Sequence, residues 1–277
     1  MSVIKLTKTS NQYLKLSNPI RSVAGQITIQ RHLYLFDFPS MKAFVDSLNY
    51  DPSDFLTKKN RNFWYKFRAG RALSRRSIST IFLQSVNKFT EMQLNHYLWH
   101  FIDQTINPSE ALASLPRSIK RQVFKKKQKV AKINSRPLHQ LKRSYPSQRK
   151  NLFNQHSLDS FAALLLIAFT QKEQLNHARP TSAEKYAYAL FLYLFGYKYR
   201  TLRKKDLGRK INLLLTGDFF KKNIADGEEN NLDDFEQVEV LKKLAEENNK
   251  SDVDKFVSEE IKKFIFSKKD HLCFLKY

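Results

Sequence analysis

Histidine is the commonest acid–base side chain in catalysis, and the chain offers seven: His32, His96, His100, His139, His156, His177 and His271. His96 and His100 stand four apart, which places both on one face of a helix, a spacing that can hold a metal. No glutamate lies between them as in H-E-x-x-H, and the nearest following carboxylate is Asp103. Beside Trp99 the pair reads as packing or surface histidines. Arg149 and His156 put a fixed cation and an acid–base group just ahead of an apolar helix. The carboxylates form no pair with a following lysine of the kind a nuclease uses: Asp51 and Asp54, and Asp233, Asp234 and Glu236, fall in loop-like or acidic stretches. One cysteine, Cys273, leaves no intrachain disulfide and no multi-cysteine zinc site within these residues. None of the six glycines is spaced as G-x-G-x-x-G or G-x-x-x-x-G-K-[ST], which excludes those phosphate cradles. No catalytic group, metal or cofactor is therefore expected.

Phosphate recognition remains. The 277 residues carry 49 Lys+Arg against 26 Asp+Glu, a formal net charge of +23, and the sequence pI is about 9.9. The imbalance is uneven. Residues 223–277 hold 14 acids and 9 bases, whereas residues 1–222 hold 40 bases and 12 acids. Between Arg117 and Lys150 there are 13 Lys/Arg and no acid. Solvated faces normally mix signs. Charge of one sign at this density opposes compaction unless a polyanion relieves it. Lys125, Lys126, Lys127 and Lys129 are the phosphate-tracking candidates of that stretch.

Lys58–Val86 is the most informative segment. A polar, basic opening leads to Trp64, Phe67 and Gly70, then Arg71, then a new amphipathic helix with Ile78, Ile81 and Phe82. Trp64 and Gly70 are six apart. The pattern resembles the second half of a Cro/C1-type helix-turn-helix, over about residues 41–87. That family has an aromatic about six residues before a glycine, a basic residue, a turn proline and a further helix. Ser74 stands where the proline is usual. The resemblance implies that the tryptophan anchors a recognition helix, that the glycine ends it in the left-handed region, and that the first turn enters the major groove. Lys58, Lys59, Asn60, Arg61 and Asn62 are then the groove-facing residues, and Lys66, Arg68, Arg71, Arg75 and Arg76 contact the backbone. Asn60, Arg61 and Asn62 have the chemistry to read bases. A second mapping makes Ser74–Val86 the recognition helix, with Arg75, Arg76 and Ser79 in the groove. Helical-hairpin packing alone also accounts for Trp64 and Gly70.

Tyr197 and Tyr199 interleave with Arg200, Arg203, Lys204 and Lys205. Exposed, the tyrosines would stack on unpaired bases; otherwise they end a core helix whose last turn carries cations suited to its dipole. Arg149-x6-His156 also resembles the loose motif of HEPN-type ribonucleases, which would imply RNA cleavage by that pair.

The elements that must position these residues read as mainly helical, with 42% hydrophobic residues and 22 phenylalanines enough to bury a core. Gln26–Ile29 and His32–Phe38 alternate in a strand-like way. Helices are expected from Pro39–Ser40, with Met41, Phe44, Val45 and Leu48 on one face, over about 53–69, from Ser74, and from the capping-box pattern at Thr90–Gln93 through Ile102. Asn107–Pro108 breaks the last. A basic helix carrying Ile119, Val123, Val130 and Ile133 follows, then a basic linker over 134–150. Ser157 caps a helix apolar almost all round, Leu158–Thr170. Further helices are expected over 183–199, 202–215, 235–247 and 252–266, with an acidic loop at 226–234.

The expected organisation is an extended, β-like segment over 1–39, a helix-turn-helix-like module over 40–115, a basic helix and linker over 116–156, and a helical bundle with an acidic tail over 157–277. Met1–Leu16 has no apolar core, so no secretory leader is expected, and no run reaches the about 20 residues of a membrane span. The expectation is a cytoplasmic, non-enzymatic binder of nucleic acid, DNA rather than RNA. Its C-terminal helices would meet a protein partner or a second copy. A bacterial regulator or accessory factor of a mobile element or defence system would suit it. The competing readings are the HEPN-like ribonuclease and an RNA-binding or scaffold subunit of a nucleoprotein complex.

Overall fold

Helix accounts for 82% of the described residues, and no strand occurs among them. In this computed structural model those residues are 12–35, 37–46, 64–72, 92–123, 146–175, 181–199, 204–216, 234–247 and 252–267. The helices are α1 (Asn18–Leu35), α2 (Met41–Asp46), α3 (Tyr97–Ile102), α4 (Pro108–Ser114), α5 (Arg117–Val123), α6 (Pro146–Phe153), α7 (Leu158–Leu175), α8 (Ser182–Phe191), α9 (Lys204–Thr216), α10 (Asp234–Glu247) and α11 (Val253–Ser267). Residues 64–68 add a short helix, and Leu192–Lys198 continues α8 with π-helical winding. The chain divides into two compact units, Met1–Thr105 with Thr201–Leu207, and Ile106–Arg200 with Gly208–Tyr277, so the boundary passes through α9. No helix among the described residues is long and apolar enough to cross a membrane.

Within the expected β-like segment, Asn18–Leu35 form the 18-residue helix α1 instead, and residues 1–11 lie outside the described residues. The alternation misleads because polar residues are buried with the apolar ones: Gln26 and Thr28 are as enclosed as Ile27 and Ile29. Each polar side chain finds a partner inside. Thr28 Oγ1 donates to the Ala24 carbonyl at 2.7 Å, and Gln26 Nε2 donates to the Arg68 carbonyl at 3.2 Å. The buried Ile20, Val23, Ala24 and Ile27 follow helical spacing. The helix begins at Ser17, whose carbonyl accepts from Arg21 N at 2.9 Å. Asp103, far along the chain, accepts from Ser17 Oγ at 2.7 Å and from Ser17 N, placing a carboxylate at the positive end of α1. Ser40 Oγ accepts from Ala43 N at 3.1 Å and caps α2, which buries Met41, Phe44 and Val45 as expected. Leu48 lies outside the described residues.

Helix α3 starts later than the sequence suggests. Residues 92–94 are helical, a turn follows, and His96 caps α3 with Nδ1 accepting from Leu98 N at 3.2 Å. Trp99 Nε1 donates to the Gln93 carbonyl at 2.9 Å, which fixes that turn. Asn107–Pro108 does not break a helix but opens one. The break lies upstream, where Gln104 has φ +57°. Asn107 accepts from Glu110 N at 2.9 Å, and Glu110 accepts from Asn107 N at 2.9 Å, a reciprocal capping box for α4.

The second unit is built on α7, buried on every side from Ser160 to Ala168. Ser157 Oγ accepts from Ser160 N at 3.1 Å and caps it, as expected. Helices α4, α5, α6 and α8 pack against α7, while α10 and α11 pack on each other and on the α8–π segment. Phe161, Phe191, Phe195 and Phe235 meet ring to ring at 5.3–5.6 Å, geometry that adds to plain area burial. Residues 146–150, expected as linker, are the first part of α6. Asp234, expected in an acidic loop, is the buried first residue of α10 and accepts from Tyr188 Oη at 2.7 Å.

Candidate nucleic-acid interface

The helix at 64–68 is held from one side. Trp64 and Phe67 are buried, with the Trp64 ring edge-on to Phe44 at 5.3 Å and 6.3 Å from Phe67. Opposite Phe67 stands Gly25 of α1. A Cβ there would lie 2.6 Å from the ring's Cζ and 2.7 Å from Cδ2, so only glycine admits this approach. Trp64 is thus a packing anchor, as its place in the pattern implies.

The helix ends at Gly70 with φ +78°. Gly70 N donates to the Phe67 carbonyl at 3.0 Å and Arg71 N to the Lys66 carbonyl at 3.1 Å. These are the two bonds of a Schellman C-cap, which requires a left-handed residue at that point. Ser22 Oγ donates to the Gly70 carbonyl. The end of the helix is therefore tied to α1 through side chains at Ser22 and Gln26.

What remains outward is Tyr65, Lys66, Arg68, Ala69 and Arg71, all exposed. Burying residues 64 and 67 presents 65, 66 and 68 to solvent, and the Schellman turn brings Arg71 onto the same short segment. Three cations and one aromatic ring on a fixed backbone can contact phosphates and stack on a base or sugar. The sequence-predicted Lys66, Arg68 and Arg71 are all exposed on this short anchored segment, Lys66 and Arg68 on different sides of its helix. Lys58, Lys59, Asn60, Arg61, Asn62, Arg75, Arg76, Lys125, Lys126, Lys127, Lys129, Arg200 and Arg203 lie outside the described residues, as does the helix expected from Ser74. Lys204 is the first residue of α9.

Tyr197 and Tyr199 do not offer open faces. Tyr199 is buried, and Tyr197 packs on Tyr193 at 5.5 Å and donates to Asp254 at 2.7 Å. Tyr199 thus packs in the core, while Arg200 and Arg203, the cations of that reading, lie outside the described residues. Arg149 and His156 are engaged within the second unit. Arg149 donates to Ser182 Oγ; burial draws its pKa down, opposed by Tyr186. His156 has φ +47°, bonds Ser258 Oγ through Nε2 at 2.6 Å and stacks on Tyr193 at 4.2 Å. Burial holds its pKa below the ordinary imidazole value, helped by Lys198 and opposed by Asp254. His96 caps a helix, while His100 is buried with Nδ1 2.8 Å from Thr105 Oγ1. No group of three or more His, Cys, Asp or Glu among the described residues is placed to hold a metal.

Sequence reasoning located the anchored cations but not the side chains that hold them. Ser22, Gly25 and Gln26 carried no signal while 26–29 read as a strand. No protein-family model matches the chain, and neither a curated protein nor a solved structure matches it.

Proposed function

We propose that the chain binds nucleic acid through basic helical surfaces, duplex DNA in preference to RNA, as a regulator or accessory factor rather than as an enzyme. The observation that carries this reading is the segment 64–72. Trp64, Phe67 and Gly70 are committed inward, and Lys66, Arg68 and Arg71 are left exposed on the anchored segment. The charge of residues 1–222 supports it, because 40 bases cannot be neutralised by 12 acids. The preference for a duplex rests on the helix-turn-helix resemblance alone. On that mapping Asn60, Arg61 and Asn62 read bases, while Arg75 and Arg76 position the module.

The test is an anisotropy titration of labelled duplex DNA and of single-stranded RNA across a salt series. Wild-type protein should bind the duplex with a steep salt dependence. A variant with Lys66→Gln, Arg68→Gln and Arg71→Gln should flatten the slope of log K against log salt by about 3, near 0.9 for each phosphate lost. No duplex binding at low salt refutes the reading. RNA cleavage that disappears in His156→Ala favours the ribonuclease instead.

A further inference from the structure

We infer that α5 and α6 together form a second docking surface, on the second unit, for the phosphodiester backbone of a nucleic acid, read without regard to sequence. This rests on the nucleic-acid reading above and assigns it a site on different residues. The two helices flank the long basic stretch and pack against one another. Gln155, just beyond α6, donates from Nε2 to Gln122 Oε1 of α5 at 2.7 Å. Each helix commits its apolar residues inward: Ile119 and Val123 from α5, Leu152 and Phe153 from α6. Arg117, Ser118 and Arg121 are exposed on α5, and Ser147, Lys150 and Asn151 on α6, with Asn154 and Gln155 beyond it.

No acid occurs between Glu110 and Asp159. Glu110 is occupied in the capping box of α4. Arg117, Arg121 and Lys150 enter no ion pair with a described residue. Arg117 and Arg121 also stand one helical turn apart, where like charges repel. Arg121 and Lys150 suit the dipole at the ends of their helices, but no carboxylate offsets the like charges, and a chain of phosphates does. Arginine, lysine, serine, asparagine and glutamine are side chains that contact a nucleic-acid backbone, and they make up this surface.

The competing polyanions fit less well. A helix that lies on an anionic membrane inserts an apolar face, but the apolar faces of α5 and α6 are already buried, and neither helix carries an exposed large hydrophobic residue. An acidic protein partner would want aromatic or aliphatic anchors at the centre of the contact, and this surface has none.

The experiment uses the full chain with Arg117→Gln, Arg121→Gln and Lys150→Gln combined. A fluorescein-labelled duplex of mixed sequence, a second duplex of unrelated sequence, and vesicles of phosphatidylserine in phosphatidylcholine serve as probes. The expected result is a salt slope shallower by about 3 on both duplexes alike, with an unchanged circular-dichroism melt. The conservative Arg117→Lys, Arg121→Lys pair should keep the wild-type slope. On the wild-type chain, bound duplex should protect Lys150 from acetylation, a readout that needs no variant to fold. Wild-type binding with an unchanged slope in the triple Gln variant and an unprotected Lys150 overturns this inference and leaves the nucleic-acid reading standing. Loss of vesicle binding with duplex binding intact overturns it in favour of a lipid surface. Absence of wild-type binding to any nucleic acid overturns the underlying reading itself.

Discussion

Replacing Gly25 by alanine sets two effects of opposite sign against each other at one position. Gly25 lies inside α1, and alanine favours a helix interior over glycine by about 1 kcal/mol. Against this, the new methyl would stand 2.6 Å from Cζ and 2.7 Å from Cδ2 of Phe67, and closer still to Cε2, where ordinary contact begins at 3.4 Å. Phe67 is fully buried and cannot swing into solvent, so either the ring leaves its rotamer or the 64–68 helix shifts off α1. Overpacking of a tight core costs about 1–3 kcal/mol, and a ring face blocked at three carbons belongs at the upper end. The net should be a loss of about 1–2 kcal/mol from the first unit.

The assay follows from composition. The chain has two tryptophans, Trp64 and Trp99, and both are buried in that unit. Urea unfolding followed by tryptophan fluorescence therefore reports it selectively. Gly25→Ala should lower the midpoint. Combined with Phe67→Leu, which vacates the ring position, it should cost less than the two single changes added, by about 1 kcal/mol of coupling. A raised midpoint, or simple additivity, would show that α1 and the 64–68 helix do not meet as described, and the anchored segment of Lys66, Arg68 and Arg71 would lose its support.

Two further outcomes test other contacts. Asp103→Ala leaves Ser17 N and Oγ without their acceptor at the start of α1 and should destabilise the first unit by about 1–3 kcal/mol, read in the same fluorescence assay. In the second unit, burial holds the His156 pKa below its ordinary value. As pH falls through about 6.5 the unfolded chain takes up a proton that the folded chain resists, so stability is full above that pH and is lost below it. His156→Asn, a residue tolerated at positive φ, should reduce that acid loss in circular-dichroism melts compared between about pH 7.5 and 5.5. An undiminished acid loss would show that His156 is not the group responsible.

How much of this was legible in the sequence depended on whether the signal was local. Ser157 and Gly70 do what their types dictate, because a helix end must satisfy its own backbone groups within a turn. The apolar run of α7 could be central and nothing else. Trp64 and Phe67 marked the buried side of their helix, and with it the exposure of Lys66, Arg68 and Arg71. Misreadings came where a distant partner reversed a local preference. Gln26 looks like the outward half of a strand until Arg68, far along the chain, supplies a carbonyl for it. Gln104 and His156 take positive φ without being glycine, so no turn residue announced the bends. Asp234 sits among acids in the sequence yet is buried against Tyr188. The α5–α6 surface was half visible, as a basic stretch without acids; that its two ends meet depends on what α7 packs against.

The anchoring of the cations also separates two ways of losing affinity. An Arg or Lys on an unfixed segment must surrender its backbone freedom at the moment of binding, a cost of about 1–2 kcal/mol for each residue ordered. Between Trp64 and Arg71 that ordering is already accomplished by the Phe44–Trp64–Phe67 packing, the Gly25 approach and the C-cap tied to Ser22. A change in the anchor, such as Gly25→Ala, should therefore weaken every nucleic-acid complex while leaving its salt slope nearly intact, because the number of phosphates neutralised is the same. A change in the exposed cations, such as Arg68→Gln, removes a phosphate contact and should lower affinity together with the slope, by about 0.9 per contact. If Gly25→Ala flattens the slope as Arg68→Gln does, the anchor and its cations are not separable, and the cations act as a diffuse cloud rather than as a positioned set.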